Sequence, residues 1–185
     1  NLHAKFACET LAAGKHAFIE KPLAMNIEEI RQVLQTAEEN PDRHIMVGFN
    51  RRFSPHIVKI KELLAGRGEP LAMNMTVNAG HIPPDVWVHD PVRGGGRIIG
   101  EGCHFIDLLA FLAGSKVRSL AAHQISAGVA IKEDKMSISL GFEDGSIGTV
   151  NYFANGSKSY PKETLEVFSD QRVLRMDNFR KTTGY

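Results

Sequence analysis

Two short stretches hold the side chains best suited to chemistry. The first is Glu20-Lys21-Pro22, which follows a Gly14-Lys15 turn and the apolar run His16-Ala17-Phe18-Ile19. An apolar run between a turn and a proline reads as a buried parallel strand. Ligands of open α/β sheets bind just beyond the carboxyl ends of such strands. Lys21 is therefore placed to reach a reacting hydroxyl, with Pro22 fixing the backbone that carries it. The same residues also read as a surface Lys-Pro turn. The second stretch is Glu101, His104 and Asp107, spaced by three on a helix predicted from about Ile98 to Leu112. This spacing brings them onto neighbouring parts of one face. A histidine between carboxylates suits general acid–base work, because they orient the ring and hold its pKa near neutrality. The competing reading is structural: Glu101 favours the helix N-terminus, His104 packs, and Asp107 pairs locally.

Other chemistries have less support. His81, His89, Asp90, Glu101 and His104 are metal-ligand types, but no HExxH or short His-x-His spacing is present, so no metal is expected. No G-x-S-x-G occurs, and His104, adjacent to Cys103, points about 100° away from it around a helix, so nucleophilic catalysis lacks a base. Gly94-Gly95-Gly96, flanked by Arg93 and Arg97, reads either as an anion site at a helix N-terminus or as a tight turn.

These groups need a scaffold. The run from Ala4 to Ala13 favours helix and stops at Gly14. Asn26 with Glu29 has capping-box spacing, and Ile27, Ile30, Val33, Leu34 and Ala37 then recur at helical intervals, predicting one buried face before Asn40-Pro41. His44 to Phe49 reads as a second buried strand, so the first fifty residues form an α/β unit with a parallel sheet. Asn50 to Pro55 marks a boundary, followed by a helix from about Pro55 to Ala65 and a half-buried strand from Leu71 to Val77. Asn78 to Arg93 is long and irregular, a loop length that points to function. After Gly114 the period changes to two. Ser119–Ile125, Lys135–Phe142, Ser146–Phe153, Glu163–Phe168 and Arg172–Met176 read as strands. The expected fold is α/β followed by α+β, the second part a mainly antiparallel sheet covered by helices on one face. In that sheet Ile138, Leu140, Val150 and Tyr152 alternate with polar neighbours, and any apolar remainder on the free face predicts a homo-oligomer.

Composition narrows the partners. With 43% hydrophobic and 23% charged residues and a net charge of +1, the chain reads as an ordinary globular protein without a basic stripe for nucleic acid. No apolar run approaches the roughly 20 residues that span a bilayer, so no membrane partner is expected. Cys8 and Cys103 form no CxxC, which suggests reduced thiols in a cytoplasmic setting. The chain opens at Asn1 without an initiator Met and without a strand or G-x-G-x-x-G before its first helix, so we expect a piece of something longer.

Four blocks recur together here. They are Ala13-Gly14-Lys15-His16 leading to Glu20-Lys21-Pro22-Leu23-Ala24, Val47-Gly48-Phe49-Asn50-Arg51-Arg52-Phe53-Ser54-Pro55, Gly94-Gly95-Gly96, and Gly102-Cys103-His104-Phe105-Ile106-Asp107-Leu108-Leu109. In this order and spacing, across nearly the whole chain, they resemble the Gfo/Idh/MocA family of nicotinamide-dependent sugar oxidoreductases. The resemblance implies residues 1–50 as the end of a Rossmann-type dinucleotide-binding domain and 51–185 as a substrate-binding and oligomerisation domain. It implies Lys21 and His104 as the catalytic pair, with Glu20, Lys21, Pro22 and Arg51 near the cofactor. It also implies Asn50, Trp87, Arg93 and Asp107 near the substrate. Family members usually carry an aspartate four residues before the histidine. Here that position is Gly100, so its role passes to Glu101. The implied activity is hydride transfer between NAD or NADP and a secondary alcohol of a sugar or nucleotide sugar. A non-catalytic binding or oligomerisation module is the alternative. The cofactor would be held mainly by an N-terminal segment preceding this chain, so the 185 residues alone are expected to be inactive and to bind dinucleotides no better than at millimolar level.

Overall fold

The computed structural model describes residues 2–185; Asn1, where the sequence lacks an initiator Met, lies outside the described residues. The chain divides into two compact units, Asn1–Phe49 with Trp87–His104, and Asn50–Val86 with Phe105–Tyr185.

The first unit is built on α1 (His3–Ala12), β1 (Ala17–Ile19), α2 (Ile27–Glu39) and β2 (Ile45–Val47). β1 and β2 pair in parallel, Phe18 opposite Met46. Asn26 caps α2 by accepting from the Glu29 amide (2.9 Å), while Glu29 accepts from the Met25 amide (2.8 Å). Ala4, Ala7 and Val33 form a small core against Cys8, Ile19, Leu23, Ala24 and Ile45. Two expectations are corrected here. The strands are covered on one side only, so Phe18 is 66% exposed and Met46 also faces out. Along α2 only Val33 is buried, and Ile27, Ile30 and Leu34 are exposed. The apolar stripe is wide, and within the unit α1 meets just one of its edges.

The second unit holds a seven-stranded sheet in the order β4-β5-β6-β3-β7-β8-β9. Its strands are β3 (Ala72–Asn78), β4 (Val117–Gln124), β5 (Lys135–Phe142), β6 (Ile147–Phe153), β7 (Glu163–Ser169), β8 (Arg172–Asp177) and β9 (Lys181–Gly184). All neighbours are antiparallel except β3 and β6, which run parallel. The helices α3 (Pro55–Leu63) and α4 (Cys103–Ala113, from Phe105 onward) supply Ile57, Ile60, Phe105, Leu108, Leu109 and Leu112 to the core. Gly148 on β6 is needed for that packing, since a Cβ there would lie 2.8 Å from Leu109 Cδ1. Lys61 donates to the Phe111 and Leu112 carbonyls (2.8 and 2.9 Å), satisfying the free end of α4, and burial with Arg67 nearby lowers its pKa.

Ile138, Leu140, Val150 and Tyr152 are all buried in this core. The other face carries by alternation Ser137, Ser139, Thr149, Asn151, Asn74 and Thr76, with an apolar remainder at one end where exposed Ile147 and Phe168 flank Ala72. Ser137 donates to Asn151 (2.9 Å) and Asn151 to Asn74 (3.1 Å), forming a ladder across three strands. The predicted continuous helix from Ile98 is instead a π-turn (Ile98–Gly102) that feeds α4.

Candidate functional site

Lys21 emerges just past the carboxyl end of β1. The ladder continues one step further, with the Gly48 amide donating to the Ile19 carbonyl at 2.8 Å. The Glu20 carboxylate lies over buried Gly48, where a Cβ would approach Glu20 Oε1 to 3.2 Å. From this point Lys21 Nζ donates to the Gly100 carbonyl at 2.7 Å. Gly100 stands four residues before His104, at the position where the resembled family carries its aspartate. The ammonium thus meets a backbone oxygen at that position.

The segment bearing Gly100 is fixed by Asp90. Its carboxylate accepts from the Val92 and Arg93 amides (2.8 Å each), which holds its pKa below the usual carboxylate range. Its carbonyl accepts from the Gly94 and Gly95 amides (2.8 Å each), and the Val88 carbonyl accepts from Gly96 (3.0 Å). The triple glycine is therefore the tight turn of the two sequence readings: its amides donate inward. It must be glycine because a Cβ on Gly94 would lie 2.5 Å from the Trp87 and Val88 carbonyl oxygens. Gly95 has φ +71° and faces Met25 at close range.

Past the π-turn, His104 is 4% exposed and meets the Phe49 ring edge-on at 5.9 Å. Wide turns of this kind recur at functional sites, and here it sets where the His104 ring emerges. Glu101 accepts from buried Arg97 at 3.2 Å, one turn earlier. The first unit thus brings Lys21 to the backbone of the very turn that carries Glu101 and His104.

The remaining predicted residues stand elsewhere. Asp107 is gripped by both arms of Arg52, one at 2.7 Å, and this bond raises the Arg52 pKa; the guanidinium lies over Phe111. Arg51 makes two bonds to Glu163 (2.9 and 2.6 Å) and lies 4.8 Å over Phe105. Asn50, Arg51, Phe53, Ser54, Glu163 and Phe179 line a cavity of about 380 Å³ in the second unit. Trp87 and Arg93 are exposed. Glu163 and Phe179 were not singled out from sequence. Glu163 pairs across 112 positions, which no local pattern reports. Among the described residues no group of three His, Cys, Asp or Glu gathers as a metal site.

Comparison with known proteins decides the lineage. Residues 57–175 match a family model described as the GFO/IDH/MocA C-terminal domain, and residues 1–49 match one described as oxidoreductase family, NAD-binding Rossmann fold. The chain belongs to the GFO/IDH/MocA family. It is 27% identical over 191 residues to the myo-inositol 2-dehydrogenase of Thermotoga maritima, covering 99% of this chain and 55% of that protein. A solved NAD-binding oxidoreductase from Klebsiella pneumoniae matches with a TM-score of 0.85 and 25% identity, over 100% of this chain and 54% of that one. The WlbA dehydrogenase of Bordetella pertussis, solved with NADH and UDP-GlcNAcA, shares the fold at 22% identity and a TM-score of 0.82, over 98% of this chain and 57% of that one. The chain spans about half the length of the curated relatives it matches. Nicotinamide chemistry in a GFO/IDH/MocA protein fits the residues present. Glu20, Lys21 and Pro22 sit beyond the ends of two parallel strands, where this class of sheet holds ligands, and glycine at 48 leaves the Glu20 carboxylate room to lie against the strand end.

Proposed function

We propose that the protein carrying this chain is an NAD(P)-dependent dehydrogenase acting on a secondary alcohol of a sugar-like substrate. The observation that carries this reading is the anchoring of Lys21 Nζ on Gly100, one turn before buried His104. Residues 1–50 would serve the cofactor, with Glu20, Lys21 and Pro22 beside it, and residues 51–185 the substrate. A nicotinamide cofactor held beside Glu20, Lys21 and Pro22 would supply the acceptor for the hydride of the alcohol carbon. Lys21 keeps donor protons beyond the one given to Gly100, and one of them is offered to the substrate hydroxyl oxygen. That bond stabilises the developing alkoxide, and His104 accepts the proton the hydroxyl loses. Arg97 positions Glu101 on the same turn as His104, which makes that carboxylate the orienting group, while both oxygens of Asp107 are taken up by Arg52. Asn50 and Arg51 belong to the substrate pocket, with the guanidinium held by Glu163.

Substrates of the sugar or cyclitol class are supported by the relatives' own names. A cytoplasmic setting belongs to the same reading, since Cys8 and Cys103 form no disulfide; no helix among the described residues is long and apolar enough to cross a membrane. A homo-oligomer through the open sheet face would be made by the Ser137–Asn151–Asn74 ladder and its neighbours. The deciding experiment is turnover of Lys21→Ala and His104→Ala in the protein that carries this chain. Each should fall by about 10²–10⁴-fold with cofactor affinity kept. Unchanged turnover in either removes that residue from the mechanism.

A further inference from the structure

A second cavity of the second unit, about 440 Å³, has a different chemistry from the one at Arg51. Its walls include Lys158, Tyr160, Asp177, Arg180 and Lys181. Three cations face one carboxylate, and among the described residues none of the three makes an ion pair. The other cavities of this unit differ. Arg51 has Glu163, and Arg67, in a third cavity, has Asp144. A concave site with an uncompensated excess of positive charge is complementary to an anion.

The backbone that carries these cations is held in place before any ligand arrives. Asn78 Nδ2 donates to the carbonyls of Ser157 (2.7 Å) and Tyr160 (3.3 Å), fixing the loop that bears Lys158. The loop presses on Asn78 so closely that a Cβ on Gly156 would lie 2.2 Å from Asn78 Oδ1. On the other wall, the turn between β8 and β9 is closed by Arg180 N donating to the Asp177 carbonyl (2.9 Å) and pinned by Asn178 N donating to the Glu163 carbonyl (2.7 Å). Asn178 and Phe179 both adopt left-handed backbone, φ 50° and 52°, within the three-residue connection between paired Asp177 and Lys181. Phe179 holds this conformation without being glycine, and it lines the Arg51 cavity, while Asn178 and Arg180 line the cationic one. One rigid turn therefore forms a wall of both.

We propose that the cationic cavity is a subsite for the phosphate ester of a phosphorylated or nucleotide-linked sugar, whose sugar ring occupies the Arg51 cavity. This rests on the sugar dehydrogenase reading for the ring, while the anion site stands on its own charges. Lysine and arginine bind phosphate oxygens through charge-assisted hydrogen bonds, and salt weakens such contacts.

The test is a ¹H–¹⁵N titration of the protein that carries this chain with glucose 1-phosphate, uridine diphosphate, inorganic phosphate and glucose, at low and high salt. Glucose 1-phosphate and uridine diphosphate should give saturable shifts at Ser157–Tyr160 and Asp177–Lys181. The double variant Arg180→Gln/Lys181→Gln should weaken both by at least about tenfold, the effect of losing a charge-assisted contact. Arg175→Gln, an exposed arginine of β8 outside the cavity, should leave them unchanged. Spectra of the variants away from the two loops report that the fold is kept. The inference is overturned if the unaltered chain shows no saturable shift, or if the double variant binds as well as it does. It is also overturned if inorganic phosphate binds as tightly as glucose 1-phosphate, which would leave a free-anion site only. None of these outcomes involves hydride transfer, so the dehydrogenase reading is judged separately by Lys21 and His104.

Discussion

Replacing Gly94 by alanine tests whether the turn at Asp90 holds the segment that reaches Lys21. The added Cβ would lie 2.5 Å from the Trp87 and Val88 oxygens and 2.6 Å from Val88 C, all of them backbone atoms. Relief needs a shift of about 1 Å to reach ordinary contact, and rigid backbone cannot give that locally. Overpacking of this kind costs about 1–3 kcal/mol. The shift also strains the bonds from Gly94 and Gly95 to Asp90 and from Gly96 to Val88, each worth about 1 kcal/mol. A total of about 2–4 kcal/mol follows. Gly100→Ala is the matched control, because nothing but the Gly94 carbonyl oxygen, at 3.9 Å, approaches its Cβ. There alanine should stabilise the turn by about 0.5–1 kcal/mol, by restricting the unfolded chain. Gly95→Ala should fall between, since its clash is with the flexible end of Met25 and the left-handed backbone adds about 1 kcal/mol. Urea midpoints give the order, and hydrogen exchange at the Gly94 to Gly96 amides locates the effect. Equal midpoints and equal exchange for the Gly94 and Gly100 variants would refute the reasoning.

Two further outcomes are expected. The Asp90 carboxyl is depressed by the Val92 and Arg93 amides, so its contribution is full above the ordinary carboxylate pKa and is lost as pH falls through the folded value. Protection of those two amides, taken as exchange relative to the intrinsic rate at each pH, should therefore fall on acidification, and Asp90→Asn should flatten the profile; an unchanged profile in the variant would assign the effect to another group. If the open sheet face mediates a homo-oligomer, sedimentation of the chain should show a dimer that Asn151→Lys dissociates, and a monomer at high concentration counts against it.

Local patterns located most elements because each carried its own punctuation. Gly14 and Gly114 end helices in left-handed backbone, Asn26 and Ser54 cap them, and the alternation of Met73, Met75 and Val77 marks β3. Lys21 was legible as a strand-end residue for the same reason. What escaped was set by distance. Nothing near Arg51 announces Glu163, and nothing near Ala72 announces that its strand lies between β6 and β7. The strand β9 was missed because Lys-Thr-Thr-Gly is short and polar and follows a turn without glycine. The π-turn was missed because one extra residue in a helical turn leaves the apolar period nearly intact. Alternation grouped Ile138, Leu140, Val150 and Tyr152 on one face of the sheet without saying which face the helices cover.

The place of β3 has a consequence for how the chain is made. It pairs with β6 in parallel, Ala72 opposite Ile147, and with β7 on its other side, Ala72 opposite Phe168. Neither partner is a sequence neighbour, so this strand closes the sheet over long loops, the slow kind of contact. The hairpins β5–β6 and β7–β8 can form as soon as they are synthesised, on the microsecond scale. At about 5–20 residues per second, a ribosome needs roughly 4–20 s after β3 before its partners appear. During that interval Met73, Met75 and Val77 are bare on a strand with both edges open. The centre of the finished sheet is thus the part of the nascent chain that waits longest for a neighbour.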